Sequence, residues 1–206
     1  MHAELTALQS AIGGQVILPD SPTYEEARKP AFSQYASIRP AAIVRCSTPT
    51  DVIETVARSR HVGLTIATRN GGHCFAGRST TRGLVIDLSP LGSVELEGTL
   101  ATIGAGATLG AIYARLEGEG RTIAAGSCPT VGIAGLTLGG GLGVFGRTYG
   151  LTSDQLLEAQ VVLADGRVVD CDAKRCDDLF WALRGAGAGQ FGVVTRFVFT
   201  TVPAQA

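Results

Sequence analysis

Glycine constrains this chain more than any other residue. It supplies 28 of the 206 positions, about twice the usual share of roughly 7%, and it gathers in three clusters with no fixed period. The first is Arg69-Asn70-Gly71-Gly72-His73-Cys74-Phe75-Ala76-Gly77. The second opens with Gly126-Ser127-Cys128-Pro129-Thr130-Val131-Gly132 and runs on to Gly143. The third is Gly185-Ala186-Gly187-Ala188-Gly189-Gln190-Phe191-Gly192. Each lies where a strand or helix ends. Glycine reaches positive φ and, having no Cβ, lets backbone N–H groups converge on an anion. A nucleotide-type cofactor is the natural guest, although any single cluster could equally serve a tight turn or close strand packing. None fits the dinucleotide GxGxxG placed after a first strand with an acidic residue about twenty positions on, nor the GxxxxGK[ST] phosphate loop, which argues against both folds.

Composition narrows the class further. With 45% hydrophobic residues and a mean hydropathy of +0.25, the chain is expected to fold, as one domain or as two small lobes sharing a core. Seventeen Lys and Arg against eighteen Asp and Glu leave no basic field for a nucleic acid. Five cysteines without paired CxxC spacing indicate neither a disulfide framework nor a zinc site, and no metal is expected; most are expected to be buried small hydrophobes. By itself His73 would be a hydrogen-bonded structural histidine, and Cys128 by itself would be inert. Their glycine settings change that reading. The first residues lack a basic segment followed by an apolar one, so a cytoplasmic setting is the expectation. The apolar stretch from Gly132 to Val144 is too short and too glycine-rich to span a membrane.

Hydrophobic spacing gives an α+β order of elements. A short helix is expected over Glu4–Ile12, then a surface-hugging lead-in to about residue 39, then a strand at Ala42–Arg45. Thr48 and Pro49 start a helix that Gly63 stops before a strand at Leu64–Ala67, a βαβ pattern. Strands follow at Leu84–Leu88, Val94–Glu97 and Leu100–Gly104, the last two joined at Gly98. Thr108 caps a helix carrying Leu109, Ile112, Tyr113 and Leu116. Val161–Ala164 and Arg167–Val169 form a hairpin around Asp165-Gly166. A short helix at Asp177–Arg184 and one long strand at Phe191–Val202 complete the order.

From about Pro40 to Val202 these motifs resemble the FAD-binding domain of the berberine bridge enzyme-like flavoproteins, in the vanillyl-alcohol oxidase and p-cresol methylhydroxylase (PCMH) superfamily. Arg69-Asn70-Gly71-Gly72-His73 is similar to the family's R-x-G-G-H, whose histidine bonds to the flavin 8α carbon. Gly126 to Gly132 resembles its G-x-C-x-x-V-G, whose cysteine bonds to flavin C6. Gly135 to Gly143, Tyr149 to Asp154 and Asp178 to Gly185 follow the family in order and spacing. The last cluster departs from it at Ala186, Ala188 and Gln190.

The resemblance implies a two-lobed PCMH-type fold over residues 40–206, with a small α/β lobe and a larger, mainly antiparallel one clasping FAD. It implies bicovalent attachment through His73 and Cys128. It places Arg69, Asn70, Gly71, Gly72, Cys74, Gly77 and Ser79 from the first loop against the cofactor. From the second it places Ser127, Thr130, Val131, Gly132, Gly135, Leu138, Gly139, Gly140, Gly141 and Gly143, with Val193 and Val194 by the adenine. Val131 stands at the family's oxygen-gating position, and a valine there resembles the oxygen-reactive type. The activity implied is oxidation of an alcohol, sugar or secondary metabolite by hydride transfer to flavin N5, with oxygen reduced to hydrogen peroxide. Family members continue into a substrate domain with a catalytic tyrosine; none of Tyr24, Tyr35, Tyr113 and Tyr149 matches it, so another chain or further sequence would complete the site. A non-catalytic FAD-binding module, or a singly tethered or non-covalent relative that passes electrons to a partner, are the alternatives.

Overall fold

The computed structural model describes residues 2–187 and 189–204. Ala188 of the third glycine cluster lies outside them. Helix α1 (His2–Ala11), strand β1 (Gln15–Ile17) and the short helix α2 (Tyr24–Ala27) come first. Strand β2 (Ala42–Arg45), helix α3 (Pro49–Val62), strand β3 (Ile66–Arg69) and strand β4 (Leu84–Asp87) follow. These strands form a sheet in the order β1-β2-β4-β3. Strands β2 and β3 each run parallel to β4, while β1 runs antiparallel to β2. The βαβ pattern is therefore present, with β4 inserted between its two strands.

The lead-in is more than a covering. Leu5, Leu8, Ile17 and Tyr24 are buried, and Tyr24 donates its hydroxyl to the Pro40 carbonyl at 2.7 Å. Helix α3 begins and ends as its residues dictate. Thr48 and Asp51 form a reciprocal capping box, Pro49 opens the first turn, and Gly63 closes it at φ +68°. The closure shifts the next strand by two residues from expectation. Leu64 N–H is taken by the Ser59 carbonyl at 2.9 Å, so pairing starts at Ile66 and carries Arg69 into the sheet opposite Asp87.

The second lobe contains β5 (Val94–Glu97), β6 (Leu100–Gly104), helix α4 (Leu109–Glu117) and β7 (Arg121–Thr122). It continues with helices α5 (Ile133–Leu138) and α6 (Gly146–Tyr149), strands β8 (Leu156–Val162) and β9 (Val168–Asp172), helix α7 (Asp177–Leu183), β10 (Val193–Thr200) and β11 (Val202–Pro203). The antiparallel sheet runs β5-β6-β10-β8-β9. Its last hairpin closes through Ala164–Gly166, with Leu163 N–H bonded to the Arg167 carbonyl at 2.8 Å and Gly166 at φ +87°. That is one residue longer than the two-residue turn expected from Asp165-Gly166. The final long strand breaks at Thr201, whose N–H and hydroxyl both go to the Thr99 carbonyl, and β11 pairs with β7 instead. Thr108 holds the N-cap position of α4 without a side-chain cap bond.

The main core runs through both lobes, joining Val44, Val52 and Ile86 to Ile103, Ile112, Val161 and Phe197. Only Cys46 and Cys171 are buried among the five free cysteines, fewer than expected, and burial pushes both thiols up to about 12. Among the described residues no helix is long and apolar enough to cross a membrane.

Candidate cofactor cleft

The first glycine loop leaves the sheet at Arg69, whose carbonyl accepts from Leu88 N–H at 2.8 Å. The Arg69 guanidinium is 5% exposed and turns toward the lead-in. It faces Asp87 at 3.6 Å and donates to the carbonyls of Ala27 and Arg28. What Arg69 offers the cleft is its backbone. Asn70 anchors the next residue, its Nδ2 donating to the Gly106 carbonyl at 2.6 Å. Gly71 then lies directly on the second glycine loop. A Cβ there would stand 2.2 Å from the Thr130 carbonyl oxygen and 2.6 Å from Gly132 N. The second loop is itself hooked to the start of α4, through Leu109 N–H to the Val131 carbonyl and Ile133 N–H to the Ala107 carbonyl.

This loop-on-loop contact brings three side chains to one point. His73 Nε2 lies 2.9 Å from Thr130 Oγ1, and Cys128 Sγ lies 3.5 Å from the same oxygen. The Thr130 hydroxyl, followed by backbone N–H groups of Thr130 and Val131, holds the exposed Cys128 thiol below the usual cysteine range. Phe32 from the lead-in meets the His73 ring edge-on, with centroids 5.8 Å apart and planes at 80°. Sequence offered no signal for that contact, because Phe32 is an isolated aromatic in a Pro- and Ser-containing stretch.

Both loops open onto a cleft of about 1450 Å³ between the lobes, larger than the roughly 300–1,000 Å³ of most small-molecule sites. Most of the expected residues line it: Arg69 through Cys74, Ser79, Cys128, Val131, Gly132, Gly135, Leu138, Gly139, Gly141, Val193 and Val194. Five do not. Gly77, at φ +73°, packs on the Tyr35 ring; Gly143 abuts the Ala125 carbonyl; Gly140, at φ +97°, faces Leu151. Ser127 is exposed to one side, and Thr130 stands behind His73 and Cys128. The third cluster enters the wall through Gly187, Gly189, Gln190, Phe191 and Gly192, tied to α5 by Gly187 N–H donating to the Leu138 carbonyl at 2.7 Å. The end of α3 also lines the cleft with Ser59 and Arg60, as does Arg78 after the first loop. The sequence reading assigned none of these to the site, although it had singled out the third cluster.

The lining fits an extended nucleotide cofactor in three respects. Its described residues include Arg60 and Arg78 and no Asp or Glu, while the Arg69 guanidinium is turned away and paired with Asp87, so a diphosphate would enter a mildly positive field. Asn70 Oδ1 and Thr80 Oγ1 are buried there without a hydrogen-bond partner, one an acceptor and the other able to donate or accept. Helix α5 presents Gly135 and Gly139 at the exposed face of one turn, and a Cβ on Gly135 would meet nothing within 4 Å. Bare backbone therefore faces open space where a flat ring system can lie against it.

Residues 40–172 match the family described as the FAD binding domain. An uncharacterized FAD-linked oxidoreductase of Bacillus subtilis is 35% identical over 95% of this chain and 45% of its own length. The (R)-6-hydroxynicotine oxidase of Paenarthrobacter nicotinovorans is 37% identical over 90% of this chain and 41% of its own length. Among solved structures, berberine bridge enzyme-like 1 of Physcomitrella patens superposes with a TM-score of 0.93 at 36% identity, covering 98% of this chain and 45% of that one. The glucooligosaccharide oxidase of Acremonium strictum, which carries a 6-S-cysteinyl, 8α-N1-histidyl FAD, gives 0.89 at 32% identity over 97% of this chain and 43% of its own. The chain spans less than half the length of these relatives. Its loops, its two lobes and these likenesses agree: the chain belongs to the FAD binding domain family, among the berberine bridge enzyme-like FAD-linked oxidoreductases, and has their PCMH-type fold.

Proposed function

We propose that this chain is the flavin-carrying part of an oxidase that takes a hydride from an alcohol, sugar or secondary metabolite and passes the electrons to oxygen as hydrogen peroxide. One observation carries the reading: His73 and Cys128, far apart in sequence, meet at a single hydroxyl on the rim of a cation-lined cleft. FAD, when bound, supplies hydride acceptance at N5 and reaction with oxygen. The chain's own residues hold and orient it. The two glycine loops receive its backbone-facing parts, His73 and Cys128 fix the ring at two points, and Val193 and Val194 pack against the adenine. Val131 lines the cleft beside Cys128, where it admits oxygen. No carboxylate or tyrosine is among the described lining residues, so the base for the substrate proton comes from further sequence or another chain. That same observation favours, as a second reading, an FAD module that does not turn over alone.

Intact mass after denaturation tests the attachment. The wild-type chain with FAD should retain one FAD mass, His73→Ala or Cys128→Ser alone should retain it through the other residue, and the double variant should lose it completely. A wild-type chain that releases all its flavin would defeat the bicovalent reading. Rapid mixing of the reduced chain with oxygen separates the two functional readings. Reoxidation that yields peroxide within seconds supports the oxidase, and reoxidation over many minutes supports the passive module.

A further inference from the structure

A hydroxyl has one proton to give and can accept in return. Thr130 Oγ1 has two partners, His73 Nε2 at 2.9 Å and Cys128 Sγ at 3.5 Å, and where the hydroxyl donates to one and accepts from the other, two proton arrangements are available. In the first, Oγ1–H donates to Nε2 and the thiol donates to Oγ1. The imidazole proton then sits on Nδ1, and sulfur stays protonated. In the second, Nε2–H donates to Oγ1 and Oγ1–H donates to sulfur. Nδ1 then carries the free lone pair, and sulfur accepts, which favours its thiolate form.

The surroundings favour the second. Sulfur is a weak donor, Cys128 is exposed so that water solvates its charge, and two backbone N–H groups already favour the charged form. Among the described residues nothing hydrogen-bonds His73 Nδ1, while the edge contact with Phe32 and the loop contact at Gly71 restrict the ring. We propose that the Thr130 hydroxyl is the positioning group that readies both tethers, accepting from His73 Nε2–H so that Nδ1 is the nucleophile and donating to Cys128 Sγ.

The inference rests on the covalent reading above, and the chemistry balances. At His73, a bond forms from Nδ1 to the 8α carbon and a C–H bond there breaks. Its electron pair reduces oxygen, and hydrogen peroxide takes up the released proton together with the one Nε2 had held against Thr130. At Cys128, a bond forms from sulfur to C6 and the C6–H bond breaks. A second oxygen takes that electron pair, that proton and the former thiol proton.

Thr130→Val keeps the shape and removes the hydroxyl, whereas Thr130→Ser keeps the hydroxyl. Cys128 alkylation by iodoacetamide at pH 7, read by peptide mass on the flavin-free chain, should slow about fivefold in Thr130→Val, one hydrogen bond's worth, and recover in Thr130→Ser. In a Cys128→Ser background, the rate at which FAD becomes covalent through His73 should fall about tenfold with Thr130→Val and recover with Thr130→Ser. Wild-type rates in Thr130→Val overturn the proposal, as does a Thr130→Ser variant impaired equally, which marks a merely structural role. If Thr130→Val does not fold, ¹⁵N spectra of His73 in the wild-type chain decide: a proton on Nε2 supports the assignment and one on Nδ1 overturns it. A wild-type chain that never binds FAD covalently defeats the proposed function, and the alkylation and tautomer readouts then judge Thr130 by themselves.

Discussion

An Asp87→Asn chain should unfold about 3 kcal/mol more easily than its parent, a fall in Tm of roughly 6–12 °C for a domain of this size. Asp87 lies 3.6 Å from Arg69 and 3.8 Å from Arg45, and its Oδ1 accepts the Ser89 N–H at 3.0 Å. The Arg69 side chain is almost fully buried. Removing the carboxylate charge leaves a guanidinium in a poorly solvated place, and the cost of an uncompensated buried ion exceeds the worth of the bond lost. The two carbonyls that Arg69 also reaches keep the loss at the lower end of the range for such pairs. Adding Arg69→Met should recover most of the stability, since the two positions are coupled. Chemical denaturation of the single and double variants measures this, and a loss below about 1 kcal/mol in Asp87→Asn would show the pair to be dispensable.

Gly71→Ala should be as damaging and more specific to the cleft. Its Cβ would stand 2.2 Å and 2.6 Å from backbone atoms of Thr130 and Gly132. Backbone cannot rotate aside as a side-chain tip can, so the two loops must separate. Overpacking of this kind costs about 1–3 kcal/mol, and here the upper figure applies. Separation also pulls His73 from Thr130, so covalent FAD should fall with stability. Gly135→Ala gives the contrast. It sits in α5 with nothing within 4 Å of its Cβ, so its Tm should hold or rise slightly, while flavin uptake falls because the methyl enters the cleft. Equal melting of the Gly71→Ala and parent chains would refute the loop-on-loop account.

Local chemistry was legible in the sequence, and long-range chemistry was not. Helix α3 follows from Thr48, Pro49 and Gly63 because each acts within one turn of itself. The hairpin β5–β6 appears where alternation and Gly98 placed it. Helix α5 could not be read, since it is short and Gly135 inside it opposes helix formation. It exists because Ile133, Ala134 and Leu138 bury against the common core. The pairing of β7 with β11 depends on residues far apart in the chain, and so does the seating of Phe32 on His73. Motif order led to His73 and Cys128 through family resemblance. That Thr130 of the second loop would meet His73 as well as its neighbour Cys128 was beyond any spacing rule, because the His73 contact arises only when Gly71 closes onto that loop.

The place of β10 in the antiparallel sheet sets the timing of folding. It is the last long strand and yet the central one, pairing Phe197 with Ile103 on one side and Val194 with Val161 on the other. The hairpins β5–β6 and β8–β9 can form early from neighbouring residues. Their inner edges stay open until β10 arrives, because the strand that joins them closes a long loop and bears its entropic cost first. During synthesis those edges are the chain's most association-prone surface. Val193 and Val194 belong to β10 and to the cleft wall alike. The cavity is therefore completed in the same event that buries the edges, and a cofactor captured then would trap the sheet in its finished order.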